Sequence, residues 1–197
     1  MYQAFGHHFD FIAIPIIKKR LRMDTSQVII NEERPQLTKH LATRFKEKIG
    51  QNVNLLGEVV LGNEEADHRY HHYLEALESP DINYISVKIS GIYAQTHALN
   101  YEESFPELVS RMSALYQKAI DFPYTDEDGI KRSKFINLDM EEYKDAHFTL
   151  RLFKAVLNLP QFKNYSAGIV VQAYLPDAYD FQTELLEFAK EIGRAHV

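Results

Sequence analysis

Four short apolar runs alternate with stretches of helical hydrophobic spacing over most of this chain. The apolar runs predict strands at residues 53–61, 84–90, 135–140 and 167–174. Apolar residues at three- and four-residue intervals predict helices near residues 63–78, 105–119, 146–157 and 181–189. Strands that alternate with helices indicate an α/β fold around a parallel sheet, which is buried on both faces.

Each predicted strand carries one polar residue where a buried strand should be apolar. These residues are Glu58, Lys88, Asp139 and Gln172. Removing a charge from water is costly unless the charge is paired, so one such residue in every strand predicts a shared site. All of them lie toward the carboxyl half of their strands, which is the end where barrel enzymes collect their active sites.

Two folds are compatible with consecutive βα units: a doubly wound sheet and a TIM-type (βα)8 barrel. No G-x-G-x-x-G sequence follows the first strand, which weakens the dinucleotide-binding interpretation. A complete barrel needs eight units and about 250 residues, whereas this chain of 197 residues holds four. We therefore predict the first half of such a barrel over residues 53–190, and we expect the other half to be missing from this chain.

The remaining segments are predicted to be a helical arm, residues 1–52, and a non-native tail, residues 191–197. In the arm, Pro35 and Gly50 enclose apolar residues at helical spacing, which is typical of a helix with a proline start and a glycine stop. The basic cluster at residues 18–22 is interpreted as a solvated helix face rather than a membrane contact. The tail breaks the preceding helical pattern and resembles a translated sequencing adapter.

Composition narrows the function classes. The net charge of −6 gives no basic footprint for nucleic acid. The sequence contains no cysteine, so disulfides and thiolate metal ligands are excluded, and the composition suits a cytoplasmic protein. The longest early apolar stretch is too short to cross a bilayer.

Four stretches of the predicted strands resemble the proline dehydrogenase family. They are NLLGE at 54–58, VKIS at 87–90, LDMEE at 138–142 and VQAYL at 171–175. The resemblance implies an eight-stranded barrel that holds FAD across its carboxyl face and oxidises L-proline to pyrroline-5-carboxylate. It implies hydride transfer from the carbon beside the proline nitrogen to the flavin, with later electron transfer to a quinone, which brings the enzyme to a membrane surface. Both a monofunctional enzyme and the first module of a bifunctional proline-utilisation protein fit.

The resemblance also implies roles for single residues. Lys88 corresponds to the lysine that binds the substrate carboxylate, and a point cation suits a small anion. Glu58 corresponds to a carboxylate that pairs with a substrate-site arginine, and Asp139 to an aspartate beside substrate and flavin. Gln172 corresponds to a residue that hydrogen-bonds the isoalloxazine ring, because an amide offers both donor and acceptor. The flavin pocket is implied to include the two further residues Val170 and Tyr174.

Other interpretations of these residues stay open. Lys88 could be a structural lysine paired with Glu58 or Asp139, or a Schiff-base lysine of a different barrel enzyme. The chain could also be a non-enzymatic βα association module. Negative charge at the start of a helix is a sufficient account of Glu141 and its neighbour Glu142.

Three histidines, His68, His71 and His72, have the helical spacing of metal ligands but are interpreted as a surface cluster, so no metal site is predicted. The family's later strands supply an arginine near the flavin, a glycine-rich phosphate grip and a paired arginine motif, and none has a counterpart here. We therefore expect the chain alone to be inactive. We also expect long unpaired edge strands that favour self-association.

Overall fold

The computed structural model describes residues 10–25, 29–30, 34–55, 60, 62–94 and 100–193. The chain divides into two compact units, residues 1–50 and 51–197. The first unit contains helix α1, Asp10–Thr25, and helix α2, Arg34–Lys46. Within the described residues, no helix is both long enough and apolar enough to cross a membrane.

Helix α2 ends earlier than its apolar pattern predicts. The helix closes at Lys46, and Lys48 then adopts a left-handed backbone with φ of 58°, which stops helical propagation before Gly50. Leu41 is buried, but Phe45 and Ile49 of the same predicted stripe are exposed. The basic cluster at residues 18–22 of α1 is exposed.

The second unit contains the predicted parallel sheet. Its strands are β1 (Val53–Asn54), β2 (Tyr84–Lys88), β5 (Phe135–Asp139) and β6 (Gly168–Ile169). They lie side by side in the order β1-β2-β5-β6. All pairs in this sheet are parallel. Strands β3, Tyr124–Thr125, and β4, Lys131–Arg132, form a separate antiparallel hairpin.

Helices follow each strand of the parallel sheet. They are α3 (Asn63–Glu78), α4 (Ile89–Ile92), α5 (Tyr101–Asp121), α6 (Ala146–Leu157) and α7 (Ala178–Glu191). Two 3-10 turns lie at Tyr143–Asp145 and Pro160–Phe162. The predicted helices are therefore confirmed in order. Their apolar faces cover the sheet, and Met140, Ala146, Leu150 and Phe181 form one buried cluster between α6 and α7.

The structure corrects three details of the predicted elements. Strand β2 stops at Lys88, because Ile89 and Ile92 are buried in the short helix α4 instead of continuing the strand. Strand β6 covers only two residues, so the long edge predicted over 167–174 is wrong. The segment between α5 and β5, for which the apolar pattern predicts neither helix nor strand, holds the β3–β4 hairpin, whose turn is closed by backbone N–H groups that donate to the Asp126 carboxylate.

A buried lysine sits just before β5, at the amino end of the sheet. Lys134 is 2% exposed, and its ammonium donates a hydrogen bond to the backbone carbonyl of Ser79 at the end of α3. Burial lowers the pKa of Lys134 from 10.5 to about 8, while the nearby Asp81 carboxylate acts in the opposite direction. The charged form of this lysine therefore costs stability at neutral pH.

This burial predicts a pH-dependent stability. Between pH 8 and pH 10 the unfolded Lys134 holds a proton that the folded residue has lost, so the free energy of unfolding should rise with pH in that window. The full effect corresponds to on the order of 3 kcal/mol. The Lys134→Met variant should lose this rise, as measured by urea unfolding across a pH series.

The exposed hairpin residue Lys131 gives the matched control, since Lys131→Met should keep the rise. Above pH 10 both variants and the unmodified chain should lose stability. Burial raises the pKa of Tyr73 to about 12, and it also raises the pKa of Tyr116 and Tyr165. Above pH 10 the folded chain therefore binds more protons than the unfolded chain, and the free energy of unfolding falls as the pH rises. A rise that persists in Lys134→Met would contradict the assignment.

Candidate active site

Polar residues collect at the carboxyl edge of the parallel sheet. Asn54, Lys88 and Asp139 are the last residues of β1, β2 and β5, and Lys88 and Asp139 lie directly opposite each other in register. Gln172 follows β6 at the same edge. Parallel strands bring their carboxyl ends together, so the sequence pattern alone places these residues on one side of the sheet. Glu58 lies outside the described residues.

Lys88 makes an ion pair at this edge. Its Nζ lies 2.9 Å from Oε1 of Glu141, and the second carboxylate oxygen of Glu141 accepts a hydrogen bond from the Ser90 hydroxyl. The Lys88 side chain is 20% exposed and that of Glu141 is 37% exposed. Among the described residues, Glu141 is therefore the carboxylate that pairs with Lys88, rather than Asp139, which was one of the two alternatives left open by the sequence.

Asp139 is held by two amide side chains instead. Nδ2 of Asn54 donates to Oδ2 of Asp139 at 3.2 Å, and Nδ2 of Asn137 donates to Oδ1 at 3.0 Å. The donors come from β1 and from β5 itself, so the carboxylate is fixed across the sheet. The two hydrogen bonds orient the Asp139 carboxylate at the position opposite Lys88 in the sheet.

The three residues predicted to contact flavin lie past the end of β6. Gln172 is half-buried, and its Nε2 donates to the backbone carbonyl of Glu141 at 3.2 Å. Val170 is 36% exposed and Tyr174 is 79% exposed. The Gln172 contact joins this segment to Glu141, the residue that pairs with Lys88.

Tyr73 of α3 is buried behind Lys88. The Tyr73 hydroxyl is hydrogen-bonded to the backbone of Lys88. A Cβ atom at Gly91 would lie 3.2 Å from that hydroxyl, so the glycine in α4 permits the close approach. Burial raises the pKa of Tyr73 to about 12, and the carboxylates of Asp139 and Glu141 add to the shift, so this phenol stays protonated.

Sequence reasoning missed Glu141 as a site residue. It lies before the 3-10 turn Tyr143–Asp145, whose N-cap is Glu142, so stabilisation of a helix start does not account for it. The available signal was its position two residues beyond Asp139. Residues two apart in an extended segment point to the same side, so Glu141 could be placed near the strand-end residues.

Residues 37–196 match the family model described as "Proline dehydrogenase". The chain belongs to the proline dehydrogenase family. No curated protein matches the chain. The family assignment therefore depends on the family model, together with the solved structures that the chain resembles.

Two solved structures of proline utilization A resemble the chain. The protein from Corynebacterium freiburgense is 38% identical with a TM-score of 0.78, and the match covers 88% of this chain and 17% of that one. The protein from Bdellovibrio bacteriovorus, inactivated by N-propargylglycine, is 29% identical with a TM-score of 0.77, and the match covers 91% of this chain and 20% of that one. The chain thus spans about a fifth of the length of these proteins.

The structure of proline utilization A from Bradyrhizobium japonicum with the D778Y substitution is 23% identical, with a TM-score of 0.61. The match covers 72% of this chain and 15% of that chain. At this identity the likeness concerns the fold alone. It agrees with the α/β architecture, a parallel sheet flanked by helices, that is typical of the proline dehydrogenase domain.

The packing of β6 against β5 predicts an effect of Gly168→Ala. An added Cβ would overlap the amide oxygen of Asn137 and come within 3.0 Å of the Phe135 ring. The amide must then move away from Asp139, or the strands must separate. We expect a loss of about 1–3 kcal/mol in the free energy of unfolding, measured by urea denaturation.

Gly50→Ala is the matched control, because nothing lies within 4 Å of a Cβ at that position and the residue is in no helix or strand. It should leave stability nearly unchanged. Removal of the overlapping amide in the double variant Gly168→Ala/Asn137→Ala should recover part of the loss. Strict additivity of the two substitutions would show that the overlap with Asn137 is not the cause.

Proposed function

We propose that this chain forms the lysine-bearing part of a site that oxidises L-proline. The observation that carries the proposal is the convergence of Lys88, Asp139 and Gln172 at one edge of the sheet, in a member of the proline dehydrogenase family. These residues come from three successive βα units, as a site built on strand ends requires.

Lys88 is proposed to bind the carboxylate of proline. The ammonium is largely shielded, with 20% of its side chain exposed, and its position is fixed by β2 and by Glu141. An ammonium has three N–H donors, and the Glu141 pair uses one of them. Asp139, oriented by Asn54 and Asn137, is proposed to lie beside substrate and cofactor. Glu58 is proposed to pair with an arginine of the substrate site.

The residues beyond β6 fit FAD as the cofactor. Gln172 offers an amide with donor and acceptor groups, which suits the N–H and C=O edge of a flavin ring. Val170 and the exposed Tyr174 supply apolar surface for a flat aromatic ring at the same edge. FAD, when bound, would accept the hydride from the carbon beside the proline nitrogen. The protein groups would orient the substrate and exclude water.

We further propose that the sheet is the first half of a (βα)8 barrel. The support is that β1, β2, β5 and β6 are adjacent in chain order, all parallel, with helices after each strand. On this proposal residues 53–190 form the half barrel, residues 1–52 the helical arm and residues 191–197 a non-native tail. A cytoplasmic location and a quinone acceptor at a membrane surface are proposed from the family resemblance.

The test of the function is L-proline-dependent dye reduction by the protein in its full natural length, supplied with FAD. Lys88→Met should raise the KM for L-proline about 10- to 100-fold, because a hydrogen bond to a charged group is worth about 1.5–3 kcal/mol. Lys131→Met, on the exposed hairpin, should leave the KM unchanged. Borohydride trapping of a carbonyl substrate on Lys88, without flavin dependence, would instead favour a Schiff-base enzyme.

The 197 residues alone are expected not to turn over L-proline. The resemblance assigns the phosphate grip and the carboxylate-binding arginines to strands that have no counterpart in this sequence. The measurement is the visible spectrum of the purified chain after incubation with FAD, followed by proline and dye. A bound flavin spectrum with proline-dependent bleaching would contradict this expectation.

A further inference from the structure

Glu141 joins three elements at the carboxyl edge of the sheet. Its carboxylate pairs with Lys88 of β2 through one oxygen and accepts from Ser90 of α4 through the other. Its backbone carbonyl accepts from Gln172, beyond β6, at 3.2 Å. One residue therefore contacts both the proposed substrate anchor and the proposed flavin contact.

The neighbouring glutamate makes a different kind of contact. Glu142 pairs with Lys144 at 2.8 Å, and both side chains are more than half exposed. That pair lies within one short segment, so it can be lost without moving any strand. The Glu141 side chain instead contacts Lys88 and Ser90, which lie about fifty residues earlier in the chain, so it links the segment after β5 to β2 and α4.

We propose that Glu141 is a positioning residue, which holds the Lys88 ammonium toward the substrate carboxylate. This inference rests on the proposed function. A lysine side chain has many rotamers, and ordering it opposes ligand binding. Glu141, which is itself held by the Ser90 hydroxyl, fixes the Lys88 ammonium before the substrate arrives. Substrate binding then does not have to order the lysine side chain.

A second effect has the opposite sign. The Glu141 carboxylate repels the carboxylate of a substrate bound at Lys88, so its removal could strengthen binding. Glu141 is 37% exposed, and water and salt screen that repulsion. The ordering comes from a direct contact at 2.9 Å, whereas the repulsion acts across the ammonium between two carboxylates that are farther apart. We therefore expect loss of Glu141 to weaken binding.

The first experiment needs no activity. The protein in its full natural length, without proline, is treated with limiting N-hydroxysuccinimidyl acetate, and acetylated lysines are quantified by peptide mass spectrometry. Glu141→Ala should raise the labelling rate of Lys88 about two- to fivefold, since the ion pair that occupies its ammonium is gone. In the matched control Glu142→Ala, the labelling of Lys144 should rise and that of Lys88 should not.

The buried Lys134 reports on folding in the same experiment, because its labelling rises only if the variant opens. An unchanged Lys88 rate in Glu141→Ala, with Lys134 protected, would overturn the positioning role. If Lys134 labelling rises, the conservative variant Glu141→Gln takes the place of Glu141→Ala. An unchanged Lys88 rate in that variant would have the same meaning.

The second experiment is a double-mutant cycle on the KM for L-proline. Glu141→Ala should raise the KM about three- to tenfold with a smaller change in kcat, because the lysine must then be ordered by the substrate. In the Lys88→Met background, Glu141→Ala should change the KM less than twofold. An equal effect in both backgrounds would show that Glu141 does not act through Lys88.

The two proposals fail separately. Absence of proline-dependent reduction in the unmodified protein would remove the proposed function, while the labelling result would still report whether Glu141 holds Lys88. Normal proline oxidation with a KM that is unchanged or lowered in Glu141→Ala would remove the positioning role and leave the proposed function intact.

Discussion

The parallel pairing of β2 with β5 is the constraint on which the candidate site depends. The two strands are in register from Tyr84 opposite Phe135 to Lys88 opposite Asp139. The apolar side chains between these ends are buried, and a slip of one residue would turn each of them to the other face of the sheet. The core therefore fixes where the lysine and the aspartate stand, although neither contributes to apolar burial.

The charged side chains of Asp139 and Lys88 at this edge both have polar partners. Asp139 accepts from amide side chains of β1 and β5, and Lys88 pairs with Glu141. A partly buried charge without such a partner would destabilise the sheet. The exposed Val170 and Tyr174 follow the start of β6, on either side of Gln172, which contacts Glu141. A site for a small anion and a flat aromatic cofactor would need this mixture of surfaces.

Local patterns were enough to predict much of the fold but not all of it. The order of the strands and the placement of Lys88 near Asp139 follow from apolar runs and from the geometry of parallel strands. The pairing of Lys88 with Glu141 was not among the alternatives considered, because strand register does not say where a long side chain points. The hairpin was missed because its turn depends on backbone N–H groups that donate to the Asp126 carboxylate. Such hydrogen bonds leave no apolar pattern in the sequence.

The sequence by itself determined the parallel α/β architecture, the family and the edge of the sheet at which the polar residues lie. Each of these follows from signals that are local or repeated along the chain. Only the tertiary structure decided that Lys88 forms its ion pair with Glu141 rather than with Asp139. It also decided that Gln172 donates a hydrogen bond to the backbone carbonyl of Glu141. Those contacts depend on where α4 and the segment beyond β6 meet the segment that follows β5. Such distances are set by packing between elements that are far apart in sequence.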